Sequence, residues 1–281
     1  MEILNGKIVA QDIKNQIKIE IESRLTHGKK PPCLACIIVG DNPASQVYVS
    51  SKVKACNAVG MKSVVRALPE KTSESEVISV INQLNNDDEI SAILLQLPLP
   101  KGLDERKILN YISPKKDADG LTDILLGKLF AGTNKIAPCT ASGIIKILDA
   151  YNIDPCGKRA VVIGRSLLVG KSVAVLLEER NATVTVCHSK TKNLADITKE
   201  ADILIVAIGK EKFVKADMIK LGATVIDVGI NRTDNGIVGD VDYENVKENC
   251  SFITPVPGGV GPMTIAMLLS NTLELEKDRE V

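Results

Sequence analysis

The sequence has few aromatic rings and no excess of either charge. Its 281 residues include no Trp, four Tyr and three Phe, so few rings are available for stacking on single-stranded nucleic acid. Lysine plus arginine number 35, as do aspartate plus glutamate, which makes the formal net charge zero. A nucleic-acid-binding protein usually carries a basic patch or block. We therefore expect no nucleic-acid partner.

Long apolar runs and a cysteine framework are missing as well. The longest apolar runs, such as Ile203–Ile208, are far shorter than the roughly 18–20 residues that span a bilayer. The first residues carry Glu2 and Asp12 and lack the apolar core of a signal peptide. Seven cysteines, an odd number, fit free thiols in a reducing compartment better than paired disulfides. We expect a soluble cytoplasmic protein without a membrane partner.

One cysteine pair has the spacing of a metal-binding motif. Cys33 and Cys36 lie in the apolar run CLACIIVG, which is typical of a buried strand. Side chains three residues apart on a strand point to opposite faces, so the two sulfurs cannot easily share a metal ion. Only His27 and His188 could supply imidazole ligands. We expect no metal site.

Buried strands alternate with amphipathic helices in both halves of the chain, which predicts parallel sheets. The predicted strands are Leu34–Val39, Ser63–Leu68, Ala92–Leu97, Ala160–Ile163, Thr183–Cys187, Ile203–Ile208, Thr224–Val228 and Phe252–Thr254. The length suits two domains. We predict two α/β domains with a cleft between them: residues 1–140 plus 263–281, and residues 141–262 as a Rossmann-type doubly wound parallel sheet.

The turn after the strand at 160–163 has the position of a dinucleotide-binding loop. Gly164 starts the turn, and a helix follows at about Val169. The pyrophosphate of a dinucleotide binds such a turn on the free amides of the helix N-terminus. The GxGxxG pattern is incomplete, because Ser166 and Val169 replace its second and third glycines and Gly170 is shifted by one residue. An ordinary strand–helix turn is the alternative interpretation.

The end of the next strand favours NADP over NAD. An NAD-binding domain places an Asp or Glu there for the ribose hydroxyls. This strand is followed by His188, Ser189 and Lys190, with no carboxylate before Asp196. Together with Arg165 on the neighbouring loop, these groups suit a 2′-phosphate. A solvated basic turn is the alternative.

In the first half, Tyr48 and Lys52 are four residues apart and share one helical face, with Ser45 one turn earlier. A phenol beside an ammonium can exchange protons with a substrate. The alternative is a surface tyrosine packed along a lysine stem, and the spacing by itself favours this alternative. The proton-exchanging interpretation stays open.

Three further segments carry polar or irregular chemistry. Gln96 is the one polar residue of AILLQLPLP, and a buried amide must find a hydrogen-bond partner. Asp117 and Asp119 form a turn with two carboxylates, suited to a loop or to recognition of an amino-heterocycle. Residues 254–264 are too rich in Gly and Pro to be regular. We expect this last segment to expose backbone amides to a ligand.

These segments closely resemble the bifunctional methylenetetrahydrofolate dehydrogenase/methenyltetrahydrofolate cyclohydrolase family, in the family's order and across essentially the whole chain. The matching segments are 45–52 (SQVYVSSK), 96–100 (QLPLP), 116–121 (KDADGL), 138–143 (PCTASG), 164–170 (GRSLLVG), 188–191 (HSKT), 227–231 (DVGIN) and 255–264 (PVPGGVGPMT). Two residues depart from the family pattern: Ala141 and Ser172 each stand where a proline is usual. Because proline restricts the backbone, these two departures bear only on how rigid the starts of two helices are.

The resemblance implies one site, in the cleft between the domains, for two consecutive reactions of one-carbon metabolism. Methylene-tetrahydrofolate would give a hydride to NADP, and water would open the resulting methenyl form to formyl-tetrahydrofolate. A homodimer is typical of the family. Two alternatives remain open: a dehydrogenase without the second activity, and a non-catalytic folate- or nucleotide-binding protein.

The resemblance also implies roles for individual residues. Lys52 would activate water and move protons, poised by Tyr48 and Gln96, and Asp119 would hold the pterin ring. These four residues would form the catalytic set and bind the substrate. The remaining folate contacts would come from the backbone of Pro257, Gly258, Gly259 and Val260. The dinucleotide would be held by Gly164, Arg165, Ser166, Ser189 and Ile230.

Overall fold

Strands and helices alternate along most of the chain in the computed structural model, which describes residues 1–234 and 236–279. The strands in these ranges are β1 (Glu2–Ile3), β2 (Cys33–Val39), β3 (Lys62–Leu68), β4 (Ala92–Leu95), β5 (Arg159–Ile163), β6 (Thr183–Cys187), β7 (Ile203–Val206), β8 (Ala223–Asp227), β9 (Asn231–Thr233), β10 (Gly236–Val238) and β11 (Cys250–Ile253). The α-helices are α1 (Gly6–Thr26), α2 (Pro43–Ala58), α3 (Glu74–Asn85), α4 (Glu105–Leu109), α5 (Asp123–Phe130), α6 (Cys139–Ala150), α7 (Gly170–Glu179), α8 (Leu194–Thr198), α9 (Tyr243–Val246) and α10 (Val260–Asp278). None of these described helices is both long enough and apolar enough to cross a bilayer.

The predicted elements all occur, but some strand ends differ from expectation and several short elements were not predicted. β4 ends at Leu95, so Gln96 lies just beyond the strand rather than inside it. β7 ends at Val206 rather than Ile208, because the Ile208 amide donates to the Asp240 carboxylate instead of continuing the ladder. Helix α5 and the antiparallel β9–β10 hairpin were not predicted from the sequence. α5 is short and contains Gly127, which weakens its helical signal.

A three-stranded unit comprises Asp12–Lys128, Asn134–Ile136 and the chain from Leu268 onward. Its sheet has the order β3-β2-β4, with both pairs parallel. The central strand β2 is buried along its whole length, and Cys33 belongs to the core that its odd-numbered residues form with α3. Ser73 opens α3 with a capping box, since its side chain accepts from the Glu76 amide while the Glu76 carboxylate accepts from the Ser73 amide. Among the described residues, no group of three or more His, Cys, Asp or Glu side chains could hold a metal ion.

A six-stranded unit comprises Met1–Gln11, Leu129–Thr133 and Ala137–Met267. Its sheet has the order β1-β11-β8-β7-β5-β6, and every neighbouring pair is parallel. After β5 the chain adds β6 on one side of it, and it then crosses back to add β7 on the other side of β5. In such open α/β sheets ligands bind at this switch point, outside the carboxyl ends of the strands. The topology therefore selects the loops after β5 and β7 as a ligand crevice.

The C-terminal part of α10 belongs to the three-stranded unit, as expected for a final helix that returns to the first half of the chain. Asn271 Nδ2 donates to the carbonyl of Ala118 at 2.9 Å. The contacts also group residues 1–11 with the six-stranded unit. The division into functional domains at residues 140 and 263 stays a prediction.

Candidate active site

Lys52 and Gln96 meet in the three-stranded unit. Lys52 lies on α2, and its side chain is largely buried, with the residue 8% exposed. Its Nζ donates to Gln96 Oε1 at 3.0 Å. Gln96 Nε2 donates in turn to the Leu97 carbonyl at 2.6 Å, so the amide oxygen is held towards the lysine. The buried cation therefore has one fixed acceptor and further N–H groups for other partners.

Helix α2 begins at the carboxyl end of the central strand, and this places Lys52. Asn42 caps the helix, because its Oδ1 accepts from the amides of Ala44 at 3.0 Å and Ser45 at 3.2 Å. Tyr48 lies one turn before Lys52 and is 39% exposed. No hydrogen bond joins the Tyr48 hydroxyl to Lys52 in the part of the chain that the structure describes. The shared helical face is present, whereas the proton-sharing contact between the two side chains is absent.

Asp119 lies in a turn that the Asp117 carboxylate organises. Asp117 Oδ1 accepts from the amides of Asp119 at 3.1 Å and Gly120 at 2.9 Å, and Oδ2 accepts from Thr122 at 2.8 Å. Asp117 is buried and also bridges to Ile93 in β4 as a parallel partner. Burial raises the pKa of Asp117 against the lowering effect of these amides. Asp117 thus shapes the turn, and the half-buried Asp119 is left with its side chain available for a ligand.

Lys116 supports the same turn from the other side, a role that sequence reasoning missed. Its buried ammonium donates to the carbonyl of Leu84 in the last turn of α3 at 3.0 Å and to that of Asp87, just after the helix, at 2.7 Å. Burial lowers the pKa of Lys116. Cations are favourable at helix C-termini, and this position explains the lysine of KDADGL without a ligand.

In the six-stranded unit, the turn after β5 is built for close backbone approach. Gly164 has φ of +122°, and a Cβ there would overlap the carbonyl oxygen of Ala207 after β7. A Cβ at Gly170 would overlap the Gly164 carbonyl, so the first residue of α7 must also be glycine. Because neither residue has a Cβ, the turn, the start of α7 and the end of β7 can pack closely against one another. This cradle at the switch point is what a pyrophosphate requires.

A cavity of about 320 Å³ adjoins this turn. It contains the predicted dinucleotide residues Gly164, Arg165 and Ser189, but neither Ser166 nor Ile230. Its remaining lining residues are Ile163, His188, Leu194, Ala207, Ile208, Lys210 and Phe213. The lining therefore includes two basic side chains, Arg165 and Lys210, and, among its described residues, no carboxylate.

Lys210 and Phe213 were not singled out from the sequence. The Lys210 ammonium lies 5.7 Å from the centre of the Phe213 ring, within reach of a cation–π interaction. A lysine and an aromatic residue three positions apart in a loop carry no local signal. Only the packing of the loop after β7 beside the loop after β5 reveals that they share the cavity.

His188–Thr191 forms a tight turn after β6. The His188 amide donates to Thr191 Oγ1 at 2.8 Å, and His188 Nδ1 accepts from the Lys190 amide at 3.1 Å. Ser189 and His188 line the same cavity as Arg165. A lining of hydroxyl, imidazole and guanidinium groups without a carboxylate suits a 2′-phosphate better than a free ribose hydroxyl.

The segment before α10 differs from the prediction of exposed amides. Gly258, Gly259 and Val260 are buried, and Val260 already begins the helix. The Lys7 amide donates to the Gly258 carbonyl at 3.1 Å, and a Cβ at Gly6 would overlap the Gly259 carbonyl. The start of α1 covers the segment. Of the four predicted folate-contacting residues, Pro257 is the exposed one.

The two departures from the family pattern are both accommodated. Ala141 is buried in α6, which begins at Cys139 directly after Pro138. Ser172 is buried in the first turn of α7, and its hydroxyl donates to the Leu167 carbonyl at 2.5 Å. Both helices therefore form at their expected places, and the serine adds a bond that a proline could not make.

Comparisons with known proteins cover nearly the whole chain. The family model described as "Tetrahydrofolate dehydrogenase/cyclohydrolase, catalytic domain" matches residues 4–119, and the corresponding NAD(P)-binding domain matches residues 138–280. The bifunctional protein FolD of Campylobacter hominis is 56% identical over 99% of this chain and 98% of its own.

Two solved structures are similar along the full length. The bifunctional FolD methylenetetrahydrofolate dehydrogenase/cyclohydrolase of Campylobacter jejuni has a TM-score of 0.97 and 49% identity, covering 99% of both chains. The Trypanosoma brucei enzyme, complexed with NADP and an inhibitor, has a TM-score of 0.94 and 38% identity, covering 99% of this chain and 98% of its own. Such identity over so much of each chain establishes that the protein is a member of the tetrahydrofolate dehydrogenase/cyclohydrolase family.

Proposed function

We propose that this protein oxidises methylene-tetrahydrofolate with NADP and hydrolyses the methenyl product to formyl-tetrahydrofolate. The observation that supports a catalytic rather than a binding function is the contact between the buried Lys52 ammonium and Gln96 Oε1. A protein that kept the fold only for binding would not need a largely buried cation with a fixed acceptor at the end of the central sheet. Relatives named as bifunctional enzymes support the same reading.

The residues of the six-stranded unit fit NADP. The Gly164–Gly170 turn leaves room that a Cβ would fill, and the cavity beside it presents Arg165 and Ser189 without a competing carboxylate. When bound, NADP would accept the hydride from methylene-tetrahydrofolate. The chain's own contribution is binding: the turn amides hold the pyrophosphate, and Arg165 pairs with the 2′-phosphate. We further assign Gly164, Ser166 and Ile230 to dinucleotide contacts.

Lys52 serves the hydrolytic step. Water adds to the methenyl carbon and gives up one proton. The resulting hydroxyl gives up its second proton as the carbonyl forms and the carbon–nitrogen bond of the ring breaks, and that nitrogen gains a proton, so that one proton is released in all. Lys52 Nζ relays these protons, and Gln96 holds Nζ in place through its amide oxygen. Tyr48, on the same face of α2, lines the aminobenzoyl part of the substrate.

Asp119 holds the pterin, since a carboxylate can accept two hydrogen bonds from an amino-pyrimidine edge. Pro257, the exposed residue of the segment before α10, supplies a backbone contact to the folate, whereas Gly258, Gly259 and Val260 are buried beneath the start of α1. In this proposal residues 1–140 plus 263–281 form the folate-binding catalytic domain and residues 141–262 the NADP-binding domain. A homodimer, a cytoplasmic location and the absence of a nucleic-acid partner complete it.

An absorbance assay tests the function directly. Purified protein is mixed with methylene-tetrahydrofolate and either NADP or NAD, and reduced dinucleotide is followed. Acid conversion of formyl product back to the methenyl form then measures the second step. Turnover with NADP and accumulation of formyl-tetrahydrofolate support the proposal. Turnover that stops at the methenyl form would show a single-activity dehydrogenase, and dinucleotide binding without turnover would show a non-catalytic protein.

A further inference from the structure

Asp240 is a wholly buried carboxylate at the carboxyl edge of the six-stranded sheet. It is not among the site residues predicted from the sequence. Its Oδ2 accepts from the amides of Ile208 at 2.7 Å and Gly209 at 2.9 Å. Its Oδ1 accepts from the Lys210 amide at 2.8 Å. Three consecutive backbone N–H groups after β7 therefore converge on one side chain.

The same carboxylate reaches a second loop. Asp240 Oδ1 also accepts from Asn231 Nδ2 at 2.9 Å. Asn231 directly follows Ile230, which the proposed function places against the dinucleotide. Asp240 thus joins the loop after β7 to the loop after β8.

The loop that Asp240 holds is one wall of the cavity beside the glycine turn. Ile208 and Lys210 line this cavity together with Arg165 and Ser189. The backbone conformation of Ile208–Lys210 determines the position of the Lys210 Cα atom, and with it the region of the cavity that the lysine side chain can reach. Asp240 therefore supports this wall of the cavity directly, through the three amides that it accepts from.

Asp240 is itself rigidly held. Its amide donates to Asp227 Oδ1 at 2.9 Å, and Asp227 Oδ2 accepts from the Val241 amide at 2.9 Å. Neighbouring glycines leave no space for adjustment, because a Cβ at Gly229 would overlap the Asp240 carboxylate. A carboxylate locked in this way presents its oxygens in one orientation.

The chemistry requires a carboxylate at this position. Four N–H donors point at two oxygens, which an ionised Asp can accept. An asparagine of the same shape has one acceptor oxygen, and its amide hydrogens would face at least one of the backbone N–H groups. A buried donor left without its acceptor is costly, so the loop would move to find a partner.

We propose that Asp240 is a positioning residue for the dinucleotide: it sets the Ile208–Lys210 wall of the cavity without touching the ligand. The inference rests on the proposed function. It predicts a selective loss of NADP affinity, because the hydrolytic step needs no dinucleotide chemistry and its proton-relaying pair, Lys52 and Gln96, lies in the three-stranded unit.

The test compares Asp240→Asn with Asp202→Asn. Asp202 serves as the matched control, since it lies at the amino end of β7 and accepts from the Arg159 amide and from Lys220 Nζ. NADP dissociation constants are measured by calorimetry, alongside dehydrogenase kcat and KM and cyclohydrolase turnover without dinucleotide. For Asp240→Asn we expect the NADP Kd and KM to rise at least tenfold while cyclohydrolase turnover stays within twofold. Asp202→Asn should change none of them by more than twofold.

An unchanged NADP Kd in folded Asp240→Asn would overturn the inference, as would equal losses of both activities. If that variant does not fold, Asn231→Ala decides, because it removes one of the four donors and should raise the NADP Kd about threefold. An unchanged Kd there would also overturn the inference. Wild-type protein without dehydrogenase activity would instead overturn the proposed function, so the two failures are distinguishable.

Discussion

Lys52 Nζ lies 3.0 Å from Gln96 Oε1, across a separation of 44 residues in sequence. The lysine comes from the helix after β2, and the glutamine directly follows β4, which pairs with β2 as a parallel neighbour. Parallel pairing brings both carboxyl ends to the same edge of the sheet. A buried cation and its acceptor therefore meet where ligands bind in open α/β sheets.

Replacing Lys52 by methionine should abolish most of the hydrolytic activity. Acid–base groups contribute about 10²–10⁴-fold to turnover, so a loss in that range is expected for methenyl-tetrahydrofolate hydrolysis. Folding should persist, because the apolar stem still packs. Lys54→Met is the matched control, since Lys54 lies on the same helix but is exposed. Near-normal hydrolysis by Lys52→Met would contradict the assignment.

Replacing Gln96 by alanine should reduce hydrolysis less than loss of Lys52. The lysine would keep its ammonium but lose the acceptor that orients it. A hydrogen bond to a charged group is worth about 1.5–3 kcal/mol, which corresponds to a loss of roughly 10- to 150-fold in turnover. Combining Gln96→Ala with Lys52→Met should add little. Fully additive losses in this double-mutant cycle would show that the two side chains act independently.

Asp119→Ala should weaken both reactions together, because both use the same bound pterin. The Asp119 side chain makes no part of the Asp117-centred turn, so the turn should keep its shape. Steady-state rates for both steps and the NADP Kd check this. The NADP Kd should stay constant, and Asp12→Ala, on the exposed side of α1, serves as the control. A fall in only one activity would refute a shared pterin site.

Arg165→Ala should weaken NADP binding and leave NAD binding nearly unchanged. A guanidinium can pair bidentately with the 2′-phosphate, and loss of such a bond costs about 1.5–3 kcal/mol. The wild-type preference for NADP should shrink as salt rises, because charge supplies it. Titration of both dinucleotides against both proteins measures the four constants. Equal losses for NADP and NAD would show that Arg165 does not read the phosphate.

Asp227 should make stability depend on pH. Burial raises the pKa of this carboxyl from 3.8 to about 6, although three backbone amides hydrogen-bond to it. Between pH 4 and 6 the folded state therefore binds more protons than the unfolded state, so stability falls as pH rises. The whole shift corresponds to about 3 kcal/mol, of which roughly 2 kcal/mol falls between pH 4 and pH 7, with little further change above.

Urea unfolding of wild type and Asp227→Asn across pH 4–8 checks this expectation. The wild-type free energy of unfolding, taken relative to the variant, should decline through about pH 6. The comparison of wild type with Asp202→Asn should show the opposite pH dependence. The hydrogen bond from Lys220 lowers the pKa of Asp202, so the stability that Asp202 contributes is lost as pH falls. A wild-type advantage that rises with pH relative to Asp227→Asn would contradict the raised pKa.

Local sequence patterns were sufficient to predict features that depend on a single helix or strand. The period of four from Val9 to Ile21 predicted α1, and Ser73 with Glu76 predicted the capped start of α3. Tyr48 and Lys52 share a helical face for the same local reason. Helix periods and caps involve residues within a few positions of one another, so they are visible without the fold.

The tertiary structure decided which residues meet and which are covered. No spacing rule joins Lys52 to Gln96, places Lys210 in the nucleotide cavity, or aims the Asp240 carboxylate at the amides after β7. The segment at Gly258 was expected to be exposed from its composition and is buried under the start of α1. Sequence by itself determined the alternation of strands and helices, and from it the α/β class, because backbone periodicity is local. The order of strands in each sheet, which is a long-range property of packing, determined the contacts at the candidate site.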